Sequence, residues 1–167
     1  MLVGPISSSF IMDRASWSLP ALRWALDNGI IGAQIVVDVA RSIAQAGDDS
    51  SIVARLAAVT HAELPEVSEI LLEAPLQEGE AELIRRKWVW LVLSWLYEYH
   101  RNDGDVLVQI DALYADFGYP QEMVAFGPYA PAYQVKGDPI QQREAVMSEW
   151  LRYLTRAGEE FEQRRSS

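Results

Sequence analysis

The chain has 167 residues, half of them hydrophobic, and carries 24 carboxylates against 14 Lys and Arg, a formal net charge of -10. At this length folding removes roughly 70% of the unfolded chain's surface from water, so a hydrophobic core forms without covalent staples. The chain has no Cys, which excludes disulfides, thiolate zinc sites and cysteine nucleophiles. The acidic balance argues against nucleic acid as a direct ligand, because phosphate contacts need a basic stripe.

Taken in chain order, the opening MLVGPISSSFIMDR shows no basic leader, long apolar run or small-residue cleavage site, so a cytoplasmic protein is expected. Ser18 caps a predicted helix with Pro20 in its first turn and Asn28-Gly29 as its stop. A second helix is predicted over residues 33–46, ending at Gly47. Asp49 or Ser50 caps a third that carries Ile52, Val53, Leu56 and Val59, and Pro65 opens a further helix over residues 65–73. A loop over 75–79 precedes the central helix, residues 80–101, with Ile84, Trp88, Leu91, Trp95 and Tyr99 at intervals of three and four.

The central helix is apolar on nearly every side, and Trp90, Ser94 and Tyr97 form a second face. Such a helix is normally enclosed by others. Its longest apolar run, residues 88–97, falls short of the roughly 18 residues that a membrane span needs, so no membrane association is expected. Arg101-Asn102-Asp103-Gly104 turns the chain into a helix over 105–116 that stops at Gly118. Pro120 then opens a short helical turn, and residues 127–139 read as an irregular loop. The last helix, 139–163, repeats Ile140, Met147, Leu154 and Phe161 every seven residues, which predicts one buried stripe. Helical periodicity throughout, with no alternating strand pattern and only short links, predicts an all-α fold. The expected architecture is a single domain over 1–167, a bundle of antiparallel helices or stacked helical hairpins.

Charge is concentrated. Between residues 44 and 82 stand nine carboxylates (Asp48, Asp49, Glu63, Glu66, Glu69, Glu73, Glu78, Glu80, Glu82) and Arg55 alone, a net of -8. Glu66, Glu69 and Glu73, at i, i+3 and i+7, are expected on one solvated helix face. That face suits a basic protein partner. With further carboxylates from Glu78 or Glu82 it could instead hold Mg²⁺, as in all-α nucleotide hydrolases, although the Glu-x-x-Asp half of that pattern is missing. The segment Tyr114, Phe117, Tyr119, Phe126, Tyr129 and Tyr133, set among Pro120, Pro128 and Pro131, is the second candidate surface. Tyr129 and Tyr133 are the residues expected to be exposed there.

Other motifs reduce to structure. Asp116-Phe117-Gly118 matches the kinase metal triplet but lacks every companion motif, and is read as a helix end with a glycine cap. His61-Ala62-Glu63 begins a zinc-deaminase signature that requires cysteines the chain does not have. His100, near a helix carboxyl end, is favoured there by the helix dipole. No nucleophile with an oriented base is found, so no catalytic residue, cofactor or metal is expected.

Trp17, Leu22 and Trp24, then Lys87-Trp88, Leu91 and Trp95-Leu96-Tyr97-Glu98, and finally Tyr114-Ala115-Asp116-Phe117-Gly118-Tyr119-Pro120 with Phe126 and Tyr129, resemble a family of small uncharacterised bacterial proteins over about residues 8–155. Small acidic single-domain families of this kind are often immunity proteins encoded beside polymorphic toxins. The resemblance thus implies an immunity protein that neutralises a toxin, and the acidic segment adds the expectation of a non-enzymatic binder meeting a basic toxin domain. It carries no catalytic residue across. The expected partner-binding residues are Asp48, Asp49, Glu63, Glu66, Glu69, Glu73, Tyr129 and Tyr133.

Overall fold

The computed structural model describes residues 5–134 and 137–165, and of residues 133, 134 and 163–165 the backbone alone. Among these residues every regular element is helical, as the periodicity predicts. Contacts divide the chain into two compact units, with the border between Trp88 and Val89, inside one helix.

The first unit opens on α1 (Ser8–Arg14), where the Ser7 hydroxyl accepts from the Phe10 N–H at 3.2 Å. Periodicity does not announce this helix, because a seven-residue segment is too short to show it. Helix α2 (Leu19–Asp27) begins as expected: the Ser18 hydroxyl accepts from the Ala21 N–H at 3.3 Å. It ends at Asn28, followed by Gly29 at φ +69°, a backbone region that glycine enters without steric cost. Helix α3 (Ala33–Gln45) packs on α1 and on α4 (Ser51–Ala57), which Ser50 caps. From α3, Arg41 reaches across to donate to the carbonyls of Ala57 and Val59 at 3.0 and 3.3 Å, which satisfies groups that the end of α4 leaves without helical partners.

The expected helix over 65–73 is replaced by two pieces, a 3-10 turn at His61–Glu66 and the short α5 (Val67–Leu71). The reason is local. Thr60 and Glu63 form a capping box that starts the turn ahead of Pro65, so the proline lies inside the turn and does not open a helix. Helix α5 packs on α2, α3 and α4. The core of this unit comprises Val36, Val37, Val39 and Ala40 of α3, Val53 and Leu56 of α4, and Val67 and Leu71 of α5. Trp88 closes it: fully buried, it donates to the Ala21 carbonyl at 2.8 Å, and its ring lies 4.2 Å from that of Trp17.

Helix α6 (Glu80–His100) runs from the first unit into the second. The second unit adds α7 (Val106–Asp116), 3-10 turns at Gln121–Met123 and Pro131–Gln134, and α8 (Pro139–Arg165). Leu91 is fully buried and Trp95 nearly so, as expected, whereas Tyr99 is 58% exposed. Trp90 is buried, donating to the Leu154 carbonyl at 3.3 Å and lying 5.2 Å from the Phe161 ring, so it belongs to the core. Arg143 of α8 donates to the carbonyls of Arg101 and Asp103 at 2.8 and 3.0 Å and so caps the end of α6.

The buried stripe of α8 is not the one that the seven-residue repeat predicts. Ile140 is 67% exposed, while Met147 and Leu154 are half-buried. The inward face is Val146, Trp150, Tyr153, Ala157 and Phe161. Trp150 and Tyr153 bury more apolar area than Ile140 and Met147 could. Trp150 packs edge-on against Tyr97 at 5.0 Å, and Phe126 lies 5.3 Å from Tyr153, which turns the helix toward its aromatics. Among the described residues no helix is long and apolar enough to cross a membrane.

Candidate functional site

The carboxylates chosen from the sequence all lie in the first unit, but they do not form one helical face. Glu66 ends the 3-10 turn, Glu69 stands on α5, and Glu73 follows it. Since the chain changes helical pitch between Glu66 and Glu69, the i, i+3, i+7 spacing no longer places the three in register. Glu73 is also engaged: it accepts from Arg55 at 2.5 Å, and this hydrogen bond holds its carboxyl below the usual range. The one cation of the acidic segment is therefore spent inside that segment. Glu63 accepts from the Thr60 N–H at 2.9 Å, and this backbone bond likewise lowers its pKa.

Glu63 and Glu73 thus have local structural work, which sequence spacing did not reveal. Asp48, Asp49, Glu66 and Glu69 remain fully on the surface. Asp48 accepts from the Ser50 N–H at 2.8 Å, bracing the approach to α4. Glu82 pairs with Arg85 through two bonds of 3.1 and 2.6 Å and is held below its ordinary pKa by them. Among the described residues no group of three or more His, Asp or Glu side chains is gathered closely enough to hold a metal ion. Glu66, Glu69 and Glu73 therefore form no ligand set of the kind a metal-dependent hydrolase needs.

The two histidines stand apart. His61 is exposed at the start of its 3-10 turn. His100 meets Asp103 at 2.7 Å and lies 4.9 Å from the Trp95 ring, where it helps close the end of α6. Asp116-Phe117-Gly118 is a helix end: Phe117 is buried, and Gly118 takes φ +74° as its N–H donates to the Ala115 carbonyl at 3.0 Å.

The aromatic segment, in the second unit, divides between core and surface. Phe117 and Phe126 are buried, whereas Tyr119 is 65% and Tyr129 is 86% exposed. Tyr119 follows Gly118 into the left-handed region at φ +60°, held there by a 2.8 Å bond from its N–H to the Tyr114 carbonyl and by edge-on packing against the Tyr114 ring at 5.2 Å. The side chain of Tyr133 lies outside the described residues. Buried Phe126 and Met123 anchor the loop beneath Tyr129. At Gly127 the chain passes so close to itself that an added Cβ would stand 2.9 Å from the Met123 carbonyl oxygen, so this turn requires glycine.

Two residues beyond Tyr129 the loop forms one wall of an open groove of about 500 Å³, with Ala125, Pro131 and Ala132 on the loop side and Ala145, Ser148 and Glu149 on α8. Sequence reasoning missed this groove. Its only trace in the sequence is the run of small residues 125, 130 and 132, which becomes a concavity once Ala145 and Ser148 face it. Chemically the surface offers an exposed phenol, short apolar walls and few polar groups.

The chain belongs to the DUF2247 family, described as an uncharacterised protein conserved in bacteria, whose model matches residues 7–158. No curated protein and no solved structure matches it.

Proposed function

We propose that this member of the DUF2247 family is a non-enzymatic protein-binding domain and, more narrowly, a cytoplasmic bacterial immunity protein that neutralises a toxin by binding it. The observation that carries the reading is Tyr129, 86% exposed on a loop whose neighbours Phe126 and Ala130 are buried. A large aromatic held outward by a packed base loses little conformational freedom on binding, which is why such residues serve as interface anchors. The exposed carboxylates Asp48, Asp49, Glu66 and Glu69 support a basic partner, since charge steers encounter and raises the on-rate.

The test is co-expression with the product of the neighbouring toxin gene. Wild type is expected to rescue growth, and Tyr129→Ala is expected to rescue poorly while its denaturation midpoint stays at the wild-type value. Full protection by Tyr129→Ala would move the contact elsewhere. Absence of protection and of a complex with wild type would remove the immunity reading.

A further inference from the structure

We infer that Leu72 and Leu76, at and just beyond the end of α5, dock a partner polypeptide that presents apolar and basic side chains together; the inference rests on the protein-binding reading above. Val67, Ile70 and Leu71 of α5 are buried, whereas Leu72 is 57% and Leu76 is 43% exposed. Leu76 also forms a wall of a pocket of about 160 Å³, opposite Pro20 and Trp24 of α2. That volume lies below the roughly 300–1,000 Å³ of small-molecule sites. The charged groups of its lining, Arg23 and Asp27, are paired with each other at 3.5 Å. The pocket therefore suits one apolar side chain. Four residues of chain span at most about 14 Å, so Leu72 and the pocket fall within the area of a single protein contact.

The chain itself places a carboxylate beside each leucine. The Leu72 N–H donates to the Glu69 carbonyl at 3.1 Å, so the two residues share one helical face, with about 5–6 Å between their Cβ atoms. Glu78 stands two residues after Leu76, within about 7 Å along the backbone. Both carboxylates are exposed, and among the described residues neither is paired with a cation. No Lys or Arg occurs from residue 56 to 84, and Arg55 at the border is held by Glu73 at 2.5 Å. A Lys or Arg flanking the docked side chain thus meets an unneutralised carboxylate at either leucine. An isologous contact between two copies would set this patch against itself and bring like charges together, which argues against a second copy.

The experiment uses the full chain and three short labelled peptides read by fluorescence anisotropy at physiological salt: alternating lysine and leucine, the same with glutamate for lysine, and the same with serine for leucine. The lysine–leucine peptide is expected to bind, and each of the other two to bind about tenfold more weakly or worse. Leu72→Ser with Leu76→Ser is expected to weaken the lysine–leucine peptide by about tenfold. Glu69→Gln with Glu78→Gln is expected to weaken it and to flatten its salt dependence. Both double variants keep the wild-type urea midpoint, since all four side chains are exposed. Asp105→Asn with Asp116→Asn, which removes two exposed carboxylates of the second unit, is expected to leave binding unchanged. Equal weakening by the two carboxylate variants, unchanged binding to the leucine variant, equal binding of the lysine–serine peptide, or no binding to wild type would overturn the inference. So would a wild-type dimer in sedimentation that the leucine variant splits, since a second copy would then occupy the face. Toxin protection by the leucine variant equal to that by wild type would discard this face and keep the immunity reading; the expected peptide results without protection by wild type would do the reverse.

Discussion

Truncation of Trp88 tests the packing of the first unit most directly. Its side chain is fully buried, its indole N–H donates to the Ala21 carbonyl at 2.8 Å, and its ring lies 4.2 Å from that of Trp17. Trp88→Ala removes the ring and leaves a cavity, a change that costs about 3–5 kcal/mol in cores that cannot collapse. The lost contact with Trp17 belongs to the aromatic pairs worth about 0.5–1.5 kcal/mol beyond their buried area, so the upper part of the range is expected. Trp88→Phe keeps an aromatic ring and loses the donor. The Ala21 carbonyl, one helical turn from the Ala25 N–H, is then not stranded, so the loss is nearer about 1 kcal/mol. Urea denaturation followed by circular dichroism measures both. For a chain of this length the alanine variant corresponds to a fall in Tm of roughly 10 °C. A loss below about 1 kcal/mol for Trp88→Ala would refute the packing, and so would equal losses for the two variants, since phenylalanine retains part of the buried ring.

Three further outcomes follow from the site residues. Asp49→Lys, Glu66→Lys and Glu69→Lys together are expected to slow association with a basic partner and flatten its salt dependence, while stability stays within about 0.5 kcal/mol of wild type for each exposed change; Glu73 is left intact because reversing it would break its pair with Arg55. Glu63 and Glu73 are held below their ordinary pKa, so their stabilisation is present above the unfolded carboxylate value and is lost as pH falls through the lower folded values. The denaturation midpoint is therefore expected to drop on acidification, less steeply in Glu73→Gln; an identical pH profile would show that the Arg55 pair contributes nothing. Asp111 behaves oppositely: burial raises its pKa, and its Oδ1 has no hydrogen-bond partner. The penalty on the charged form grows as pH rises from the unfolded carboxylate value to the raised folded value, so Asp111→Asn is expected to be more stable than wild type at neutral pH and to lose that advantage in acid. Calorimetric melts at the two pH values decide the matter.

Both candidate surfaces illustrate how charge and apolar exposure separate in this chain. Arg55 and the Thr60 N–H each take up a carboxylate of the acidic segment, so part of its formal charge serves to hold α4, α5 and the turn between them. Tyr129 has no such local duty. Its loop is secured by Phe126, Met123 and the close turn at Gly127, which leaves the phenol outward on a packed base.

Features that depend on neighbours along the chain are legible in the residues alone. The all-α character, the start of α2 at Ser18, its stop at Gly29, the end of α7 before Gly118 and the length of α6 follow from periodicity and capping, whose hydrogen bonds span three to five residues. The capping box of Thr60 and Glu63 was equally local and could have been read, and it would have corrected the helix placed at Pro65. Tertiary structure alone decided which side of α8 faces inward, because Ile140 and Trp150 satisfy helical spacing equally well and only the rings of Tyr97 and Phe126 select Trp150. It also decided that Glu73 pairs with Arg55, eighteen residues away, and that Ala125 and Ala145 share a groove. Pairings of that kind are set by how helices approach one another through space, and the spacing of residues along one helix carries no record of what lies against it.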